Sequence, residues 1–422
     1  MTLAHPKKNI NIMLEQHNRN SLLLGFVLIN LFTGIVVGVF QMVIPLYALS
    51  LNASNAELGF IRGGMGLGMF LTVIPAGFLV DHFGSKRLYL AGSMLCTLVI
   101  VGVCLAVSPP ALIVLMSMYG FFRSLSLIAT NAAFFRNLGV MGMDKAAWIN
   151  GSLLFGAVAI GPLLGGLLTT YLDYPSIFMM VLALYPVPIL LVFFCYRESL
   201  ISRVTTDESH KFLSQFQEFK GLFLDKSIQF TLFAELLMGA CSATFGVLMI
   251  IIIIKTLHLS PTMASFVLTL NGCASILVVF TAAGLVRRFS SSRLYLTSFT
   301  IASLGLFGLS LPAHVPIILL SSTILGIGLG LTQLVNYAKI GSLQGEKGKV
   351  SGLQVAAGGI GFTTGPLLAG MFSHYIDIGL VFVSFIPLFM LLGLTIIVSE
   401  GRKRRMGAEP QLSFDVGGTI ED

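Results

Sequence analysis

The sequence predicts an all-α membrane protein whose twelve transmembrane helices form two pseudo-symmetric halves of six. Only 10% of its 422 residues are charged and 55% are hydrophobic, whereas a water-soluble domain carries about 25% charged residues. The hydrophobic residues gather in runs long enough to cross a bilayer, and motifs of the first half recur in the second. Lipid is therefore the expected solvent for most of the chain.

The apolar runs mark the predicted spans, which we number one to twelve in chain order. The first run begins at Ser21 and lacks a small-residue cleavage site, so it predicts a membrane anchor and not a removable signal peptide. The spans are predicted at residues 21–49, 57–80, 87–107, 111–135, 146–171, 175–196, 228–254, 261–286, 294–311, 316–340, 350–373 and 378–399.

A long polar segment between spans six and seven divides the chain into its two halves. Phe212, Phe216, Phe219 and Phe223 recur there at helical spacing, which predicts an amphipathic helix lying on the membrane as a linker rather than a docking site. The predicted parts are a cytoplasmic tail (1–20), a six-helix half (21–196), the linker (197–227), a second six-helix half (228–399) and a cytoplasmic tail (400–422).

Positive charge is concentrated on one predicted side of the membrane. Of the 25 Lys and Arg residues, 22 lie in the two tails, in the even-numbered loops or, as Lys339 does, at the end of a span beside such a loop. Because Lys and Arg near helix ends resist translocation, both termini are expected in the cytoplasm, and we expect a bacterial inner membrane. The net charge of +7 is thereby explained by topology and does not indicate nucleic-acid binding.

Two motifs of the first half recur in the second. Gly161-Pro162-Leu-Leu-Gly-Gly in span five matches Gly365-Pro366-Leu-Leu-Ala-Gly in span eleven, at an offset of 204 residues. The segment from Gly77 to Arg87 is echoed by the segment that begins at Gly284, at an offset of 207 residues. Two offsets that agree within three residues indicate an internal repeat of six spans.

The first copy of the loop motif resembles a known signature. Gly77, Asp81, Gly84, Lys86 and Arg87 resemble the loop signature of the major facilitator superfamily, and the resemblance extends over the whole chain. It implies the twelve-helix fold of that superfamily, a small-molecule substrate and alternating access. The second copy is degenerate, with Arg288 in place of the acid.

The same residues have a physical interpretation as a gate. Gly77 permits close helix approach, Asp81 offers a carboxylate beside Lys86 and Arg87, and Gly84 permits a tight turn. This loop is expected to lock one packing of the two halves. The alternative is that the two cations only anchor the topology and the acid is solvated.

Span five carries a second resemblance. Gly161-Pro162-Leu-Leu-Gly-Gly, with Ala157 where a glycine is usual, resembles the span-five signature of drug and metabolite antiporters in the superfamily, which implies export by proton antiport. Pro162 bends the helix and the glycines allow close packing, so span five is expected to be a hinge, with Gly365 and Pro366 as its counterpart.

Three ionisable residues lie well inside the spans, namely Arg62, Arg123 and Glu235. Each costs about 2.5 to 3.5 kcal/mol at a bilayer centre, so each is a candidate functional residue. Arg123 resembles the span-four arginine motif of the superfamily's exporters, although Leu127 stands where glycine is usual, and the resemblance implies a role in proton coupling. Its structural alternative is an arginine bound to backbone carbonyls or a polar neighbour.

Two interpretations stay open for each of the other two. Glu235 is the one carboxylate expected to be buried within a predicted span, and a carboxyl group in a low dielectric tends to keep its proton until its surroundings change, which suits a proton carrier. It would equally suit a pair with a basic loop residue. Arg62 is suited to bind an anion, or to extend to lipid headgroups from its place near the end of span two.

Uncharged polar side chains complete a candidate cavity, because spans one, four, seven and ten line the cavity in this superfamily. Individually, most such residues are hydrogen-bonding contacts between helices. The candidates for substrate or ion binding are Asn30, Gln41, Asn131, Asn271, Gln333, Asn336 and Tyr337, with Gln354 in span eleven beside them.

Several other function classes find no support in the sequence. It has no Walker loop, GxSxG, HExxH or Rossmann motif, no histidine pair at metal-ligand spacing and no CxxC pattern. We therefore expect no enzyme activity, cofactor or metal, and an ion gradient as the energy source. The expected partners are a small-molecule substrate, a coupling proton and membrane lipid, and the expected state is a monomer.

The substrate class follows from which charges are present. Drug antiporters that move cations often have an acid in span one or four, whereas this chain has Arg123 there, so we expect proton-coupled efflux of an amphipathic or anionic compound. The alternative is a proton-coupled importer or exporter of a carboxylate metabolite or siderophore. A solute sensor without transport is a third interpretation, although such proteins usually carry a large additional cytosolic domain.

Overall fold

The computed structural model describes residues 6–141, 151–195, 226–311, 314–341, 347–373 and 375–405, and all regular structure in these ranges is helical. The predicted amphipathic linker helix, with its four phenylalanines, lies outside the described residues. The helices of the first half are α1 Pro6–Ser50, α2 Asn55–Phe83, α3 Ser85–Leu105, α4 Pro109–Met141, a helix from 151 whose π-helical part is Phe155–Ile160, α5 Gly161–Tyr171, α6 Tyr174–Leu184 and α7 Pro186–Cys195.

The second half repeats this order. Its helices are α8 Lys226–Ile251 with a π-helical continuation Ile252–Thr256, α9 Pro261–Thr281, α10 Ala283–Arg288, α11 Ser291–Ser310, α12 Val315–Gly341, α13 Lys347–Phe372, α14 Ile378–Val383 and α15 Ile386–Arg405.

The helices confirm the twelve predicted spans. Within the described residues, 10 helices are long and apolar enough to cross a membrane. The two remaining predictions, spans two and nine, correspond to α2 with 29 residues and α11 with 20 residues, and about 20 residues suffice to cross the hydrocarbon core. Large exposed apolar side chains such as Leu105 and Leu320 on the outside of the bundle fit contact with lipid.

Several helix boundaries differ from the prediction. Helix α1 begins at Pro6, so most of the predicted tail 1–20 is helical and continuous with span one. Spans six and twelve are each broken into two helices, at Tyr185 and at 384–385. Proline explains both breaks, because Pro186 and Pro387 stand at the start of the second piece, where a missing backbone N–H is tolerated.

Span five contains a π-helical stretch next to its proline. Pro162 has no N–H to bond to the carbonyl group of Val158, and the π turns of Phe155–Ile160 lie immediately before it. The irregularity therefore falls where the sequence predicts a hinge.

Spans five and eleven occupy equivalent positions in the two halves. Span five packs on span one of its own half, where Gly161 lies against Gly38, and on span eight of the other half, where the Thr269 hydroxyl group donates to the Ala159 carbonyl at 3.2 Å. Span eleven likewise packs on span seven of its own half and on span two of the other, where Gly59 lies against Pro366. The internal repeat thus appears as two matching contacts between the halves.

The halves are joined at the face of the bundle where span one ends, which we call the Ser50 face. There the Lys255 ammonium group donates to the Ala53 carbonyl at 3.3 Å, and the hydroxyl groups of Thr170 and Thr262 hydrogen-bond at 2.8 Å. Each contact joins a residue of the first half to one of the second. This face is therefore held closed.

Close packing of spans two and four gives a test of the fold. A methyl group added at Gly120 would lie 2.9 Å from the Met65 Cα, so Gly120→Ala forces backbone to move and should destabilise the protein by about 1–3 kcal/mol. Gly246 is the matched control, because a methyl group there meets no atom within 4 Å. Thermal unfolding of the detergent-purified variants should show a lower melting temperature for Gly120→Ala alone, and equal melting temperatures would contradict this packing.

Candidate functional site

Glu235 lies at the centre of a buried hydrogen-bond network. Its side chain is 9% exposed, and its Oε2 atom accepts hydrogen bonds from Asn336 Nδ2 at 2.6 Å and from Gln354 Nε2 at 2.8 Å. The Tyr295 hydroxyl group donates to Asn336 Oδ1 at 2.6 Å. We call these four residues the Glu235 network, and it joins spans seven, nine, ten and eleven.

The packing around the network explains why these side chains meet. Tyr295 and Asn336 are 1% and 0% exposed, and the Tyr295 ring contacts Phe230 and Phe299 at centroid distances of 5.1 and 5.7 Å. A side chain at Gly358 would lie 3.7 Å from Glu235 Oε1. The glycine thus leaves space at the second carboxylate oxygen, to which no hydrogen bond is made within the described part of the chain.

The two hydrogen-bond partners of Glu235 come from spans ten and eleven. Both are neutral amides, and none of the described residues forms an ion pair with the carboxylate. The ammonium group of Lys339 lies instead over the rings of Phe230 and Tyr295, at 5.3 and 5.7 Å. The network therefore surrounds one carboxylate oxygen with N–H donors, and the other makes no hydrogen bond within the described residues.

Arg123 is buried in span four of the opposite half. Its side chain is 7% exposed and lines a cavity of about 10 Å³, roughly the size of one water molecule. Among the described residues its side chain makes no hydrogen bond or ion pair, and both interpretations of Arg123 stay predictions. The other residues that line the cavity are Thr33, Val36, Tyr89, Ser93, Ser126, Tyr185 and Pro188.

Arg62 lies between the two halves. Its Nη2 atom donates to Gln41 Oε1 at 3.1 Å, and its guanidinium carbon lies 5.9 Å from the centre of the Phe362 ring of span eleven. These contacts direct the side chain into the bundle rather than toward headgroups. Arg62 and Gln41 are thus brought together, at a position separate from the Glu235 network.

The remaining polar candidates fall into different environments. Asn271 donates to the Ser322 carbonyl at 2.8 Å and so joins span eight to span ten. Gln333 donates to the Tyr337 hydroxyl group at 2.9 Å, and Tyr337, which is 47% exposed, lies within electrostatic range of Glu235. Asn30 is buried in span one and Asn131 is half-buried in span four.

The candidate gate is described in part. Gly84 has a φ of 83°, a value that favours glycine, so the predicted tight turn between spans two and three is present. Lys86 donates to the Phe193 carbonyl of span six at 3.3 Å, and Arg87 is exposed. Gly77 and Asp81 lie within α2, but the surroundings of Gly77 and the side chain of Asp81 are outside the described part of the structure.

A family model decides the identity of the fold. The model described as Major Facilitator Superfamily matches residues 26–252 and 231–412. The chain belongs to the major facilitator superfamily. Its members are membrane transporters, so this chain is a multi-pass membrane transporter and not an enzyme.

Solved structures with this superfamily fold resemble the chain over most of its length. The nucleoside transporter NupG, in a mutant form, has a TM-score of 0.75 at 15% identity and covers 89% of this chain and 99% of its own. The human organic anion transporter MFSD10 (TETRAN) has a TM-score of 0.67 at 14% identity and covers 90% and 99%. Identities this low show the shared fold alone.

A curated relative is similar over a shorter stretch. The chain is 27% identical over 172 residues to a "Multi-drug resistance efflux pump PmrA homolog" of Lactococcus lactis subsp. lactis (strain IL1403). The match covers 38% of this chain and 41% of the relative. It therefore spans about two fifths of the length of that curated protein.

The environment of Arg123 gives a second test. A buried cation without an ion-pair partner costs desolvation free energy that is not recovered, so Arg123→Met should leave the melting temperature unchanged or raise it. A clear loss of stability would mean that the guanidinium group is held by contacts that the described geometry lacks. Asn336→Leu, which breaks a satisfied buried network, is the contrasting variant and should lower the melting temperature by the equivalent of about 1–3 kcal/mol.

Proposed function

We propose that this transporter exports an amphipathic or anionic organic solute in exchange for protons, with Glu235 as the proton carrier and Arg123 as the residue that binds the negative group of the solute. The observation that supports this proposal is the separation of the two buried charges. A carboxyl group held by neutral amides lies in the second half, and an arginine without an ionic partner among the described residues lies in the first.

Glu235 has the properties that a proton carrier needs. Coupling requires a group whose charge changes inside the membrane, and arginine does not release its proton in proteins. A fixed salt bridge would hold a carboxylate ionised, whereas neutral amides allow both states. The space beside Oε1 at Gly358 lets a proton arrive without displacing the amides.

Arg123 suits a negatively charged or zwitterionic solute. Its neighbours in the cavity are hydroxyl groups of Tyr89, Ser93 and Ser126, which bind oxygen atoms but do not neutralise a cation. A carboxylate of the solute would supply the missing counter-charge. Since the cavity of about 10 Å³ holds no organic solute, the spans around it move apart for binding.

The orientation follows from the distribution of positive charge. The positive-inside rule places the Ser50 face outside and both termini in the cytoplasm of a bacterial inner membrane. The contacts of Lys255 and Thr170 then close the outer side, and protons and solute exchange from the cytoplasm. Gly77, Asp81, Gly84, Lys86 and Arg87 act as the latch of this movement, and spans five and eleven act as its hinges.

The printed names of the relatives support parts of this proposal. The partial match is to an efflux pump, and one of the structural neighbours is an organic anion transporter. The hydroxyl-lined cavity around Arg123 also suits a small carboxylate metabolite or a siderophore, moved in either direction, and this is the second candidate function.

Removal of the titratable group tests the proton-carrier role. Glu235→Gln keeps the shape and the hydrogen bonds but fixes the neutral state, so uptake of 5-carboxyfluorescein into inside-out proteoliposomes against its gradient, driven by a pH difference, should vanish. Exchange of the dye down its gradient should persist. Asp173→Asn is the matched control, because this exposed acid makes no helix-capping hydrogen bond. Uphill uptake by Glu235→Gln at the normal rate would show that the proton travels elsewhere.

Substitution of the cation tests the substrate class. Lysine keeps the charge of Arg123 but lacks the planar, bidentate fork, so Arg123→Lys should raise the KM for 5-carboxyfluorescein about tenfold, equivalent to about 1.4 kcal/mol. Transport of three other compounds is measured in parallel. Ethidium represents a cationic substrate, citrate a small carboxylate and uridine a nucleoside. An unchanged KM in the variant, or transport of ethidium or uridine but of neither anion by the unsubstituted protein, would contradict the assignment of Arg123.

A further inference from the structure

We propose that Tyr295 and Asn336 are positioning residues that link the charge of Glu235 to the packing of spans nine and ten, because the Tyr295 hydroxyl group fixes which end of the Asn336 amide faces Glu235. The inference rests on the proposed proton-carrier role of Glu235.

The hydrogen bonds define one orientation of the amide. Tyr295 donates to Asn336 Oδ1 at 2.6 Å, so the Nδ2 group points to Glu235 Oε2, also at 2.6 Å. The reverse orientation would place an amide oxygen against a carboxylate oxygen, and two acceptors repel each other. The observed orientation is therefore the one that suits ionised Glu235.

A proton on Oε1 leaves Oε2 as a neutral carbonyl oxygen, which holds the Asn336 amide less firmly, and a proton that passes from Oε1 to Oε2 favours the reverse orientation. A carboxylic acid is a donor, so its O–H can donate to Asn336 Oδ1 if the amide turns over, and Nδ2 then donates to the Tyr295 oxygen. The hydroxyl hydrogen of Tyr295 must leave its present direction at the same time. No covalent bond other than that to the incoming proton changes, and the proton stays on Glu235.

Because the network is buried, a change in its hydrogen bonds affects the packing of the helices around it. Tyr295 and Asn336 are almost completely enclosed, so neither has water as a substitute partner. The Tyr295 ring packs on Phe230 and Phe299, and the ammonium group of Lys339 lies over it at 5.7 Å. A new direction of the hydroxyl group thus alters the contact between spans nine and ten.

The other ionisable groups around Glu235 are few among the described residues. Span nine contributes Tyr295, and span ten contributes Tyr337, with Lys339 over the Tyr295 ring. Span eleven contributes the neutral Gln354 at contact distance, and the cation of span two, Arg62, contacts Gln41 and Phe362 instead. Within this part of the chain, the charge state of Glu235 therefore depends on its burial and, among its neighbours, most directly on the two amides.

Infrared spectroscopy measures the charge state without a substrate. The carbonyl band of the protonated Glu235 carboxyl group is identified by its absence in Glu235→Gln, and its intensity is followed with pH in the purified protein. Tyr295→Phe keeps the ring but releases the amide, which weakens its donation to the carboxylate, so the band should persist to higher pH than in the unsubstituted protein. Tyr119→Phe is the matched control, because the buried Tyr119 hydroxyl group lies in the other half and has no hydrogen-bond partner among the described residues, and its pH profile should not move.

A double-mutant cycle separates positioning from general loosening. If Tyr295 acts through Asn336, then Tyr295→Phe added to Asn336→Leu should produce no further shift beyond that of Asn336→Leu alone. Additive shifts would overturn the inference, as would an unmoved profile in a folded Tyr295→Phe protein. If that variant does not fold, the single variant Asn336→Leu must shift the profile to higher pH, and an unmoved profile there overturns the inference.

The failure of this inference differs from the failure of the proposed function. A Glu235 band that titrates normally but ignores Tyr295 rejects the positioning role and leaves the proton-carrier role standing. A band that does not change over the pH range of the folded protein rejects the proton-carrier role, and the positioning role falls with it.

Discussion

Close contact between helices through small residues is the constraint on which the rest of the structure depends. Lipid tails compete equally for apolar side chains, so helices in a bilayer associate by close packing rather than by the hydrophobic effect. Span five meets this need with Gly161 against Gly38, and span eleven meets it with Gly365 against Ala240. Each of these two helices also touches the opposite half, so the contacts that build each half also set the relation between the halves.

The same two helices carry the irregularities on which the proposed hinges rest. Pro162 and Pro366 each remove one backbone donor, and the π-helical stretch precedes the first of them. Helix irregularity is tolerated at membrane depth only where protein covers it. Spans five and eleven satisfy this condition because they are packed between neighbours on both sides, so the interface between the halves can contain hinges without exposing backbone to lipid.

The fold was predictable from the sequence because it depends on features that are local or periodic, namely apolar runs and repeated motifs. Apolar runs gave the twelve spans, and repeated Gly-Pro motifs gave the two halves. The breaks at Tyr185 and at 384–385 were missed although Pro186 and Pro387 mark them, because hydropathy alone does not register a missing N–H. The helical N-terminal segment from Pro6 was missed because its polar composition resembles that of a tail.

The candidate site was only partly predictable, for a different physical reason. Arg123 and Glu235 were identified directly, because ionisable residues inside apolar runs are rare. A charge inside a bilayer costs free energy, so each such residue is a candidate functional residue. Their partners come from other helices, and no spacing in the sequence shows which residue of span nine faces span seven. In the sequence, Tyr295 therefore does not stand out from the other aromatic residues. Asn336 and Gln354 are recognisable because they are polar residues in apolar runs.

The two halves share a scaffold but differ in their chemistry, and this asymmetry suits the coupled carrier that we propose. By the repeat offset, Glu235 aligns within a residue of Asn30, and the residues equivalent to Arg123 fall between Ile327 and Gly330, where the second half has no charge. A carboxylate and a guanidinium group packed against each other within one half form a fixed ion pair, which responds less to a solute or a proton than two separate charges do. Because Glu235 and Arg123 lie in opposite halves, a movement of one half against the other changes the surroundings of each charge while the repeated Gly-Pro contacts hold the bundle together.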